Sequence, residues 1–163
     1  MTQNKGFTII EILIVIAVAG IAFSALLDFS TLSLKNSVLV KETYQANYLV
    51  QEALEVARNL RDGTNWETNG IGSFDVDTAY HSEKTLEEFP KWQLVAGTET
   101  VGIFSRSLVF ERVSRDADDN IEMIFNPPNE DTNIRKTIAT VSWNKRGINH
   151  SVELFLYLTN WKE

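Results

Sequence analysis

The sequence predicts an α+β fold. A long amino-terminal helix, transmembrane in its first half, packs on a carboxy-terminal antiparallel sheet of about four strands. Three observations predict it. Phe7 to Leu27 is a run of 21 residues with a single charge, Glu11. Leu32 to Leu60 carries apolar residues at helical spacing. Trp92 to Leu158 holds four segments with strand-like alternation or apolar content. A helical stripe followed by a run of strands is the pattern of an α+β layer arrangement.

The apolar run is about the length of a bilayer-spanning helix. Its β-branched residues, among them Ile9, Ile10, Ile12, Ile14, Val15, Ile16 and Val18, are mediocre helix formers in water. In lipid, the backbone must satisfy its own hydrogen bonds, and helix is then the open-chain solution. Lys5 precedes the run and Asp28, Lys35 and Lys41 follow it, so the lysine count alone does not set an orientation. One alternative reading is a secretory signal peptide, with Ala17-Val18-Ala19 before Gly20 as the small-x-small cleavage pattern. It leaves Glu11 inside the apolar core, at a cost of roughly 2.5–3.5 kcal/mol. A plain single-pass anchor leaves Glu11 equally unexplained.

Past Leu27 the pattern continues without a break. Leu32, Leu39, Ala46, Leu49, Ala53, Val56 and Leu60 fall on one helical face, with Lys35, Lys41, Glu42, Gln45, Glu52, Glu55 and Arg58 at polar positions. No proline occurs before Pro90, and Asp62-Gly63 supplies a stop. One helix from Phe7 to about Arg61 is expected, roughly 80 Å long at 1.5 Å per residue.

Residues 62–90 read as an irregular connecting loop, rich in Gly, Asn and Asp, with Trp66, Phe74 and Tyr80 tucked onto the helix or sheet. The strands are expected at Trp92–Ala96, Val101–Val113, Lys136–Trp143 and Ser151–Leu158. In the second, Ile103, Ser105, Ser107, Val109, Glu111 and Val113 fall on one side, and Phe104, Arg106, Leu108, Phe110 and Arg112 on the other. Gly147 marks a hairpin between the last two. "NPPNEDTN" reads as a rigid loop. Trp66, Trp92, Trp143 and Trp161 are assigned mostly to the core or its edge, an adhesive aromatic patch being the other reading.

Composition bounds the chemistry. The chain of 163 residues has a formal net charge of −7 and no cysteine. Nucleic acid is therefore not an expected partner, although Lys145 and Arg146 form a local basic pair. Disulfides, thiolate catalysis and cysteine-ligated metals are excluded. His81 and His150 sit in no metal or triad spacing, and the serines lack a nucleophile-elbow pattern. No enzymatic activity and no cofactor are expected. Asp116, Asp118 and Asn120 in "RDADDNIE" are a weak calcium candidate, since oxygen ligands alternate there, but the EF-hand glycine and closing glutamate are missing. A solvated turn between strands is the preferred reading, with no metal. Asn149-His150-Ser151 is a glycosylation sequon by pattern only.

Lys5-Gly6-Phe7-Thr8-Ile9-Ile10-Glu11, followed by the apolar run, resembles the processing motif of type IV prepilins and type II secretion pseudopilins. The resemblance is close over Lys5 to about Leu27. It implies a leader of residues 1–6, a membrane and assembly segment of 7–27, and a pilin-like head of 28–163. The head divides into an amphipathic helix half (28–61), the connecting loop (62–90) and the sheet (91–163). The resemblance also implies cleavage between Gly6 and Phe7 by a prepilin peptidase, N-methylation of Phe7, and pairing of Glu11 with the amino terminus of a neighbouring subunit. The implied partners are other pilin subunits, the peptidase, an inner-membrane assembly platform and, before assembly, the membrane. The implied location is a single-pass membrane precursor, then an extracellular or periplasmic filament. The expected function is structural subunit of a type IV pilus-like filament. A type II secretion pseudopilin and a pilus-tip binding subunit are the alternatives. Many members carry a proline near the position of Asp28; here Gly20 is the better candidate for a point where the helix loosens. The disulfide that closes many major pilins is impossible in this chain.

Overall fold

The computed structural model describes Gly6, residues 8–86 and residues 88–161. The chain divides into two compact units, Met1–Glu42 and Thr43–Glu163. One helix, α1 (Ile9–Gly63), contributes to both. Its 55 residues continue unbroken through Gly20 and Asp28.

In the first unit every described side chain from Thr8 to Val38 is exposed. The most apolar 18-residue window of α1 has a mean hydropathy of 2.7 and none of it is buried. Ser24 and Thr31 return their hydroxyls to the carbonyls of Ile21 and Asp28, both at 2.8 Å. A hydroxyl closed onto its own helix is compatible with an apolar surrounding.

In the second unit α1 buries Ala46, Val50, Ala53, Leu54, Val56 and Ala57. The row 46-50-53-57 is the centre of the packed face. The expected stripe is thus corrected in two places. Leu32 is 55% exposed, and burial is carried as much by Val50, Leu54 and Ala57 as by the leucines first assigned to it.

The sheet has six strands rather than about four: β1 (Ala79–Lys84), β2 (Trp92–Ala96), β3 (Glu99–Val101), β4 (Phe104–Ser114), β5 (Glu130–Lys145) and β6 (Ile148–Thr159). All pairings are antiparallel, in the order β2-β1-β4-β5-β6, with β3 also on β4. The α+β class holds. The extra strands come from two places. β1 lies inside the segment expected to be irregular. The expected strand from Val101 is divided by a two-residue turn, where Gly102 has φ +63° and Val101 pairs with Phe104. β5 begins at Glu130, not Lys136, so half of "NPPNEDTN" is strand; only Pro127–Asn129 form a short 3-10 turn.

Phe104, Arg106, Leu108 and Phe110 are all buried and share one face of β4, as their alternation predicts. The alternation fails at Val113, which is buried with Ser114, because the β4–β5 register shifts between Arg112 and Ser114. On β5 the buried face is Arg135, Thr137, Ala139, Val141 and Trp143. At the β5–β6 hairpin Arg146 and Gly147 have φ +54° and +82° and join the paired residues Lys145 and Ile148. Two left-handed residues in a two-residue loop match the strand twist.

Trp66 is buried and donates its indole N–H to the Thr132 carbonyl at 3.2 Å. Trp143 is buried between Phe104 and the stacked ring of His150. Trp92 is half-buried under Lys84. Trp161 departs from the core assignment: it is 61% exposed and bonds the Asp62 carboxylate. Phe74 and Tyr80 pack on each other and on Phe110, tucked in as expected, although Tyr80 belongs to a strand.

Candidate functional site

The start of α1 is the first candidate. Gly6 is exposed. Phe7, expected to carry the cleavage and methylation site together with Gly6, lies outside the described residues. Thr8 caps the helix: its hydroxyl accepts the Glu11 backbone N–H at 3.3 Å, and its carbonyl accepts the same N–H at 3.1 Å and that of Ile12 at 3.3 Å. Thr8-Ile9-Ile10-Glu11 is therefore a T-x-x-E start signal, legible in the sequence and not used in the reading above. Glu11 stands in the first turn, where the positive end of the helix dipole favours a carboxylate. It is exposed, and Ile9, Ile10, Ile12, Leu13, Ile14 and Val15 around it are each at least half exposed. One carboxylate at the head of an exposed apolar helix can be matched by one cation.

The acidic loop follows β4. Asp116 holds it closed: Oδ1 accepts the backbone N–H groups of Asp118 at 3.0 Å and Asn120 at 2.9 Å, and its own N–H donates to the Asn120 carbonyl at 2.9 Å. Asp119 takes the left-handed conformation that this turn requires, φ +67°. Hydrogen bonding from the Asn120 backbone holds the Asp116 carboxyl below the usual carboxylate range. Arg115 ties the turn to β5 through Asp131 at 2.8 Å and to Asp119 at 3.2 Å. The loop thus spends one oxygen of Asp116 on its own backbone. Among the described residues no group of three or more His, Asp or Glu side chains is placed to hold a metal ion.

A buried polar centre went unrecognised. Arg106, 4% exposed, lies in the apolar face of β4. Its guanidinium bonds Glu99 of β3, donates to the Ser82 hydroxyl of β1 at 3.0 Å, and stands 3.5 Å from Glu52 of α1. One cation connects two strands, the helix and its own strand. Its in-phase position among Phe104, Leu108 and Phe110 was the available signal.

Residues 1–27 match the family model described as the prokaryotic N-terminal methylation motif. The match supports a member of the type IV prepilin and pseudopilin family, a family of structural subunits, and fits a membrane-anchored precursor. Comparison with curated proteins and with solved structures returned no match.

Proposed function

We propose that this chain is a structural subunit of a type IV pilus-like filament. It is inserted as a single-pass membrane precursor, cleaved by a prepilin peptidase between Gly6 and Phe7, and methylated at Phe7. The membrane-embedded segment 7–27 then leaves lipid for a bundle of identical or related segments at an assembly platform. The head, residues 28–163, faces outward in an extracellular or periplasmic filament. The observation that carries this reading is the methylation motif joined to a capped helix whose apolar first half is exposed and holds one carboxylate in its first turn.

In that scheme Glu11 meets the Phe7 amine of a neighbouring subunit. An unpaired amine entering an apolar bundle is costly, and a paired one far less so. The test is Glu11→Leu in producing cells, with Glu11→Gln beside it. Membrane insertion and cleavage persist in both, because the junction is unchanged and a charge has left the apolar run. Cleaved Glu11→Leu stays in the membrane fraction and is lost from sheared filaments, with Glu11→Gln intermediate. Normal incorporation of Glu11→Leu would make the carboxylate a bystander and remove the pairing from the scheme.

A further inference from the structure

The end of α1 and the residues that follow β6 enclose a cleft of about 480 Å³, with Arg61, Asn65, Trp66, Glu67, Asn160 and Trp161 among its lining residues. The filament scheme uses none of them. Small-molecule sites are clefts of roughly this size, with a few polar groups that fix the ligand's orientation.

The walls are held in place. Trp66 is buried, and Gly72 leaves the room its ring fills, since a Cβ there would collide with the indole nitrogen. Asn65 Oδ1 accepts the backbone N–H groups of Glu67 and Thr68, both at 3.1 Å, and closes the turn after α1. Asn160 continues the pairing with β5 one step past β6. Its N–H donates to the Asn133 carbonyl at 2.9 Å, and its Nδ2 to Asn133 Oδ1 at 3.2 Å. Asp62 Oδ1 accepts from Arg61 Nε at 2.8 Å and from Trp161 Nε1 at 3.2 Å, so one carboxylate orients a guanidinium and an indole.

Each anchor leaves a complementary group unspent. Among the described residues, the two terminal nitrogens of Arg61, Asn65 Nδ2, Asn160 Oδ1 and the Glu67 carboxylate make no hydrogen bond or ion pair. Trp161, bonded through its indole N–H, is still 61% exposed. Donors and acceptors are therefore mixed beside one exposed aromatic ring, and the charge of Arg61 is offset by that of Glu67.

This mixture selects a ligand class. An anion would face Glu67 and Asp62, and a cation would face Arg61. An apolar ligand would strip water from the polar groups and replace none of it. A pyranose sugar meets both demands. The C–H groups of one ring face pack on an indole, and each hydroxyl on the rim both donates and accepts.

We propose that this cleft binds a neutral saccharide, with a pyranose ring stacked on Trp161 and its hydroxyls shared among Arg61, Asn65, Glu67 and Asn160. This goes beyond the filament reading, which supplies only the setting: a head outside the cell, where surface saccharides are met.

The test uses the full-length chain in a detergent without a sugar headgroup. Methyl glycosides of glucose, galactose, mannose, N-acetylglucosamine and N-acetylgalactosamine are added one at a time at tens of millimolar, where weak binding is visible. Saturation-transfer NMR is expected to mark the C–H groups of one ring face in at least one of them. Trp161→Ala should weaken that binding by about tenfold or more. Glu67→Ala should weaken it too, at an unchanged melting temperature, because the Glu67 carboxylate bonds nothing in the fold. Ser151→Ala, exposed on β6 and outside the cleft, should bind as the unaltered chain does. Absence of saturation transfer to all five glycosides overturns the proposal. So does binding that either Trp161→Ala or Glu67→Ala leaves unchanged, since the sugar would then lie elsewhere on the chain. Neither result touches the filament reading, which is decided at the amino terminus.

Discussion

Arg106 Nη1 lies 3.5 Å from Glu52 Oε1, linking the middle of the sheet to the middle of the packed helix half. The guanidinium is almost wholly buried, whereas Glu52 and Glu99 are each about a third exposed, at 32%. Arg106 is therefore the member that cannot be lost without leaving carboxylates facing an apolar layer. Removing one partner of a buried pair costs roughly 3–5 kcal/mol. With its acids partly solvated, Arg106→Ala is expected near the lower end, about 3 kcal/mol. Glu52→Gln, which leaves Glu99 and Ser82 on the guanidinium, is expected at about 1 kcal/mol. The measurement is denaturant unfolding of residues 28–163, expected to unfold in a single transition because every buried side chain of α1 lies at or beyond Ala46. Equal losses for the two variants would show that Glu52 is the main partner.

The Asp116 turn gives a pH prediction. The folded carboxyl titrates below its unfolded value, because the ionised form accepts backbone N–H groups. Its contribution to stability is complete above the unfolded pKa of about 3.9 and fades as pH falls through the lower folded value. Carboxyl-carbon NMR should place the Asp116 midpoint below the ordinary aspartate value. Asp116→Ala should loosen the turn and release the Asp119 φ. With Asp116 engaged in this way, millimolar calcium should leave the melting temperature unchanged. A calcium-dependent rise that disappears in Asp118→Ala would instead make the loop a metal site.

Gly147 sits at φ +82° with open space where a side chain would stand. Gly147→Ala therefore meets a backbone penalty without a clash, about 1–2 kcal/mol. Thermal melts of Gly147→Ala and Gly147→Asn should differ, with asparagine closer to the unaltered chain because it tolerates the left-handed region. Identical melts would show that the hairpin relaxes into another turn.

How much of this was visible beforehand varies by element. The long helix was legible because an apolar run passes into an amphipathic stripe with no proline before Pro90. The face of β4 was legible from its alternation, and the hairpin from Gly147. β1 was not, because "AYHSEK" offers only Tyr80 as an apolar inward residue, and Ser82 is buried through its bond to Arg106. The start of β5 was hidden by the polar residues Glu130 to Asn133, whose side chains are not buried and of which Glu130 pairs with Ser114 of β4. In β6, "SVELFLYL" is the most apolar of the expected strands, yet only Leu158 in it is fully buried. At the candidate site, Glu11 and the Gly6-Phe7 junction were read from the motif. The partnership of Arg106 with Glu52 was not, since it depends on a fold that brings together residues 54 positions apart.

Whether the amino terminus is made by a prepilin peptidase is the point on which everything else depends. Intact-mass and peptide mass spectrometry of the protein from sheared filaments of its native host settles it. The account predicts a chain that begins at Phe7 with one methyl group on its amine, and no peptide from residues 1–6. A chain beginning at Gly20, the product of signal-peptide cleavage after Ala17-Val18-Ala19, would contradict it.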